Sequence, residues 1–184
     1  AKNFTFNFNE NEDSTHDLEY YCKDAVEKKT STELQWYKVD ATPPVITKTV
    51  GQPQVGDCSQ DRQGPCYIQD HVTPITIDVN DNAGEHDSDV NYCVWSYTVG
   101  ELVGRGGSDN FPFDIIFPED STHVLTINCY DNLGNVASDV ETFLVDSIPP
   151  VTNKTYGTPF FNESRSCGYS LNVQGASPQW MCRT

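Results

Sequence analysis

Phe4, Phe6 and Phe8 alternate with polar residues, and so do Leu18, Tyr20 and Cys22. An alternation of period two puts one face of a strand in a core and the other in water, so both stretches predict half-buried β-strands. Further strands are expected over 74–79, 90–99, 111–117, 124–130 and 140–145, separated by Asp, Asn and Gly clusters. Many short strands at this spacing predict an all-β chain of sandwich type. Asn132-Leu133-Gly134-Asn135 marks a hairpin turn within 131–141, and the same turn is expected over 24–34. Gly104-Arg105-Gly106-Gly107 reads as a flexible hairpin loop, because the helix and Lys-Ser/Thr of a phosphate cradle do not follow it.

The pattern is written more than once. Glu12-Asp13-Ser14-Thr15-His16 returns 107 residues later as Glu119-Asp120-Ser121-Thr122-His123, with Leu18, Tyr20 and Cys22 under Leu125, Ile127 and Cys129. Val39-Asp40 and Pro43-Pro44 precede Val145-Asp146 and Pro149-Pro150 by 106, and Lys48, Thr49, Gly51 and Pro53 recur as Lys154, Thr155, Gly157 and Pro159. A period of this length is one small domain, not a solenoid repeat. The prolines of Ala41-Thr42-Pro43-Pro44 remove backbone donors and mark a linker. The expected organisation is therefore the back half of a domain over 1–39, a complete domain over 40–147, and the front half of a domain over 148–184. Neither half has strands enough to bury two faces alone. Three arrangements satisfy this: the tail of one subunit completes the head of the next, the two ends of one chain meet, or the chain is one stretch of a longer repeat polypeptide.

Composition narrows the partners. Eleven basic against 27 acidic residues give a formal net charge of -16, which repels nucleic acid and anionic membrane and favours divalent cations. No apolar run approaches the roughly 20 residues of a membrane span, so none is expected. Seven cysteines without CxxC spacing argue for disulfides in an oxidising compartment. Sequons at Asn3, Asn153 and Asn162 point to N-linked glycans and an extracellular or cell-surface location.

Several motifs together resemble the Ig-like repeats of large archaeal and bacterial surface proteins: Val-Asp-x-x-Pro-Pro-Val, the Lys-Thr-x-Gly-x-Pro that follows it, Trp180-Met181, His16-x-Leu18-Glu19-Tyr20-Tyr21 and Asp131-x-Leu133-Gly134-Asn135. The resemblance implies tandem immunoglobulin-like β-sandwiches serving as stalks, surface layers or filaments. It also implies a core disulfide between Cys93 and Cys129 across the two sheets, packed on Trp95. By the repeat, Cys22 then takes the place of Cys129 and Cys182 that of Cys93, giving a Cys22–Cys182 bond that locks one subunit to the next. Cys58 and Cys66, eight apart, close a local loop, and Cys167 is left over as a buried thiol or an intermolecular link.

Asp78-Val79-Asn80-Asp81-Asn82 resembles the calcium linker of cadherins, and Glu85, Asp87 and Asp89 follow it. Asp78, Asn80, Asp81 and Asn82 are accordingly candidate calcium ligands, weighed against a solvated acidic turn. No organic cofactor is expected. His16 and His123 lack a nucleophile at activating spacing, and Glu119 and Asp120 are adjacent, which points them to opposite faces of a strand. No enzymatic role is therefore expected. The leading expectation is a subunit of an extracellular, pilus-like filament that polymerises head to tail, as a homopolymer, by donor-strand-like completion of a split domain. Phe4, Phe6, Phe8 and Trp180 would form its interface. The alternative is a monomeric adhesion or calcium-dependent binding module of a larger surface protein; an accessory β domain of a secreted hydrolase is a third reading.

Overall fold

The computed structural model describes residues 3–8, 11–99, 102–155, 167–169 and 180–182. The chain is all-β and divides into two compact units, Ala1–Ile148 and Pro149–Thr184.

In the first unit the strand that best explains the core is β6 (Ile75–Asn80), where Ile75, Ile77 and Val79 face inward and Thr76, Asp78 and Asn80 outward. It sits between β3 (Val45–Val50) and β9 (Phe113–Ile115) in a three-stranded antiparallel sheet. A six-stranded sheet faces it. Its order is β4 (Gln54–Gly56), β5 (Cys66–Ile68), β11 (Val136–Val145), β10 (Ser121–Asp131), β7 (Val90–Val99) and β8 (Leu102–Ser108), with only the β5–β11 pair parallel. The two sheets share one buried cluster. Val50, Ile75, Ile77 and Ile115 from the first meet Ile68, Leu125, Ile127, Phe143 and Val145 from the second, the arrangement of a two-layer sandwich.

Before this sandwich lies a two-stranded ribbon of β1 (Ser14–Tyr20) and β2 (Glu33–Val39). Residues 3–8 form no strand, although their Phe alternation predicted one; the counterpart segment, around β9, is a strand only where it pairs with β6. In the second unit, β12 (Cys167–Tyr169) pairs antiparallel with β13 (Trp180–Cys182).

Two expectations are corrected. The Gly104–Gly107 stretch is not a loop but most of β8, where Gly104 stands opposite Tyr97 and Gly106 opposite Trp95. Those aromatic rings occupy the space a Cβ would need, so the glycines let one strand lie under a layer of rings. The Cys93–Cys129 bond does form, but within one sheet. The two residues face each other on neighbouring strands β7 and β10 with Cα atoms 4.0 Å apart, the close approach of a directly opposed antiparallel pair. Trp95 lies on the same inward side and packs against the core.

Candidate functional site

Two features stand out: the ribbon's open face, and a cluster of acids where the ribbon joins the sandwich. The ribbon is the β10–β11 hairpin over again. Ser14 pairs with Val39 and Tyr20 with Glu33; Ser121 pairs with Val145 and Ile127 with Asp139, which is the same register at the repeat offset. The turns also match. Asp131 Oδ1 accepts from the backbone N–H of Leu133, Gly134 and Asn135, while Asp24 Oδ1 accepts from Val26 and Lys28. Gly134 sits at φ 94° and Glu27, its counterpart, at φ 65°. The first copy thus reaches the same left-handed position without a glycine, held by the aspartate that heads the turn. Even the tether recurs: Asp13 Oδ1 accepts from the Ala41 N–H at 2.8 Å, and Asp120 Oδ1 from that of Ser147 at 2.7 Å. The Ala41 N–H and the Thr42 hydroxyl hold the Asp13 carboxyl below its usual range.

What differs is cover. His123, Leu125, Ile127, Cys129 and Phe143 are fully buried, whereas His16, Leu18 and Tyr20 are half-exposed, Cys22 is exposed and unpaired, and Tyr37, the counterpart of Phe143, is 36% exposed. On this face Phe8 stacks on His16 at 4.3 Å, as Phe117 stacks on His123 at 4.2 Å. Phe6 packs edge-on against Phe8, and Phe4 stacks on Phe6, with both rings largely in solvent. The outward face carries Trp36, 74% exposed, and Leu34.

At the junction, three carboxylates converge from three elements. Asp40 follows β2, Asp81 follows β6, and Asp131 ends β10; one oxygen from each lies within 4.8 Å of the others. All three side chains are buried, Asp81 to 4% exposure. One Ser88 N–H is shared between Asp40 Oδ2 at 3.1 Å and Asp81 Oδ2 at 3.0 Å. Asn135 Nδ2 donates to the Asp40 carbonyl and to Asp131 Oδ2. Asp81 Oδ1 has no hydrogen-bond partner. Burial pushes the Asp81 carboxyl up to about 6, helped by the Asp87 carboxylate beside it and by the charge of Asp40.

Of the four expected calcium ligands, only Asp81 belongs to this cluster. Asp78 and Asn80 alternate to the exposed side of β6, and Asn82 is exposed beyond its end. Asp40 and Asp131 were not singled out as ligands. Their signal was present, since Val-Asp before Pro-Pro and Asp-x-Leu-Gly-Asn are repeat positions, but only the fold brings residues 40, 81 and 131 together. His123 is buried, and its Nε2 donates to the Glu119 carbonyl at 3.0 Å.

Cys58 is bonded to Cys66. β12 and β13 set Cys167 opposite Cys182 in strand register. Trp180 lies on β13. Asn3 and Asn153 are exposed, and Asn162 lies outside the described residues. Among the described residues no helix is long and apolar enough to cross a membrane. Comparison with protein-family models, curated proteins and solved structures finds no match in any of the three.

Proposed function

We propose that the protein is a non-enzymatic structural subunit of an extracellular filament, assembled head to tail by adding strands to the open ribbon. One observation carries this reading: two hairpins of the same register and turn, one with its inner face fully buried and the other with the same face half in water. An apolar sheet face with two open edges is a site for strand addition. In the complete copy, β11 takes β5 in parallel and β10 takes β7. The ribbon's β1, the counterpart of β10, therefore has an edge suited to an antiparallel strand in the place of β7. The second unit offers β13, which carries Cys182, the repeat counterpart of Cys93 on β7. A contact between β1 of one copy and β13 of the next is heterologous and does not close, which is the condition for a fibre.

The strand order supports an Ig-like reading of the sandwich. Taking β3, β6 and β9 as strands A, B and E, and β7, β8, β10 and β11 as C, C′, F and G, makes the division of strands between the two sheets compatible with that fold. Two disulfides, exposed sequons at Asn3 and Asn153 and the net charge of -16 support an exported glycoprotein that does not bind nucleic acid. The Cys22–Cys182 lock is a separable part of the proposal, because Cys167 competes for Cys182.

Light scattering across a concentration series tests assembly. Open-ended growth is expected, and it should be abolished by Tyr37→Asp while the melting of the sandwich is unchanged. A constant mass near the 20.6 kDa of the chain plus its glycans would overturn the filament and leave a monomeric binding module. Peptide mapping of unreduced assemblies then reads whether Cys22 or Cys167 holds Cys182.

A further inference from the structure

Among the described residues, no ion pair involves Asp40, Asp81 or Asp131, although each lies in the interior and carries a full charge when ionised. Buried carboxylates are ordinarily paired, hydrogen-bonded throughout, or bound to a metal. Here the donors do not reach every oxygen. Asp131 accepts from its own turn, Asp40 accepts the Thr42 N–H at Oδ1 and shares the Ser88 N–H with Asp81 Oδ2, and among the described residues the buried Asp81 Oδ1 has no donor.

We propose that Asp40, Asp81 and Asp131 bind a calcium ion, with the Asp87 carboxylate beside them and water completing the shell. Two oxygens on one calcium ion, each about 2.3–2.6 Å from it, stand at most about 5 Å apart. The three donor atoms, all within 4.8 Å of one another, meet that limit without rearrangement. The donors are hard oxygens only, with neither sulfur nor imidazole, and sit on two loops and a strand end. That suits the larger, geometrically tolerant calcium over magnesium, which demands a near-ideal octahedron and keeps several waters.

The position gives the ion its consequence. Asp40 closes the ribbon, Asp81 leaves the three-stranded sheet and Asp131 leaves the six-stranded one. One ion would join all three and fix the angle at which the ribbon meets the sandwich. The junction is also crossed by hydrogen bonds: Asn135 Nδ2 to the Asp40 carbonyl and the Ser88 N–H to Asp40 Oδ2, both part-buried, and, in the open, Thr15 Oγ1 with His86 Nε2 at 3.0 Å and Lys38 Nζ to the Glu85 carbonyl. A filament built on the ribbon would stiffen with calcium, but the site stands whether or not the chain polymerises.

The test is calorimetric titration of calcium chloride into the full chain after chelation, with thermal melting alongside. One ion per chain is expected, with a rise in melting temperature of about 5–10 °C at a hundredfold excess over the dissociation constant. Asp81→Asn and Asp40→Asn should each weaken binding at least tenfold, while Asp78→Asn, on the exposed side of β6, leaves it unchanged. The Asp81→Asn protein should melt no lower than the calcium-free parent, since it loses a buried charge, so lost binding is separated from lost folding. No heat and no melting shift up to 10 mM calcium, a concentration of the order that saturates even weak extracellular sites, would overturn the site. Unchanged affinity in both cluster variants would do the same, and an equal shift with magnesium would overturn the calcium assignment.

Discussion

The ribbon and the β10–β11 hairpin are one design in two settings. Register, turn aspartate, left-handed turn residue, N–H tether and aromatic-on-histidine stack are shared. Their side chains have nonetheless drifted with their surroundings. Where the complete copy has Ile127 and Phe143, both fully buried, the ribbon has Tyr20 and Tyr37. Exchanging Ile and Phe for two tyrosines keeps an apolar body but adds a polar tip, which suits a face that stands half in water. The comparison teaches that a hairpin's backbone is set by local turn chemistry and pairing, while its side chains match how far it is covered.

Matched truncations give the largest expected difference. Leu125→Ala removes a fully buried side chain and should cost about 2–5 kcal/mol in chemical denaturation. Leu18→Ala, the same position on the half-exposed face, should cost no more than about 1 kcal/mol in dilute monomer. Equal costs would mean that the ribbon is already covered. A reciprocal swap at the turns is next in size. Gly134→Glu forces a side chain into φ 94° and should cost about 1–2 kcal/mol. Glu27→Gly should stabilise the ribbon by a smaller amount, since the exposed Lys23–Glu27 pair it gives up is worth little. Hydrogen exchange at Thr30, whose N–H donates to the Cys22 carbonyl, reads the ribbon's turn directly.

The smallest effect is pH-dependent and concerns the tether. Asp13 is held below its ordinary 3.8 by the Ala41 N–H and the Thr42 hydroxyl. A depressed carboxyl contributes stability that is full above 3.8 and fades as the pH falls through the lowered value. The difference in melting temperature between the parent and Asp13→Asn should therefore be present near neutrality and shrink on acidification below 3.8. A difference that grows on acidification would sink the tether as a charge-assisted contact.

Much of this was legible in the chain because it depends on neighbours in sequence. The strand expected over 74–79 forms, with Ile75, Ile77 and Val79 alternating into the core, and Asp131 heads the turn that Gly134 and Asn135 announce. The misread glycines of β8 show the limit. Gly104 and Gly106 look like a loop until Tyr97 and Trp95, on the paired strand, are seen to fill the space above them. The expected calcium ligands show the same limit. Asp78 and Asn80 face outward from β6 and Asn82 is exposed beyond its end, while Asp81 turns inward to meet Asp40 and Asp131 from other elements.

The sequence by itself determined the all-β alternation, the repeat and the turns, because period-two burial and turn chemistry are short-range. The Cys93–Cys129 bond was expected from the resemblance to Ig-like repeats, not from a local pattern, and it forms. Only the tertiary structure decided that this bond lies within a sheet, that Asp40, Asp81 and Asp131 meet, and that one copy of the hairpin is buried while the other stands open. Each of those depends on which strands lie beside one another, and strand order is a long-range property that no local pattern encodes.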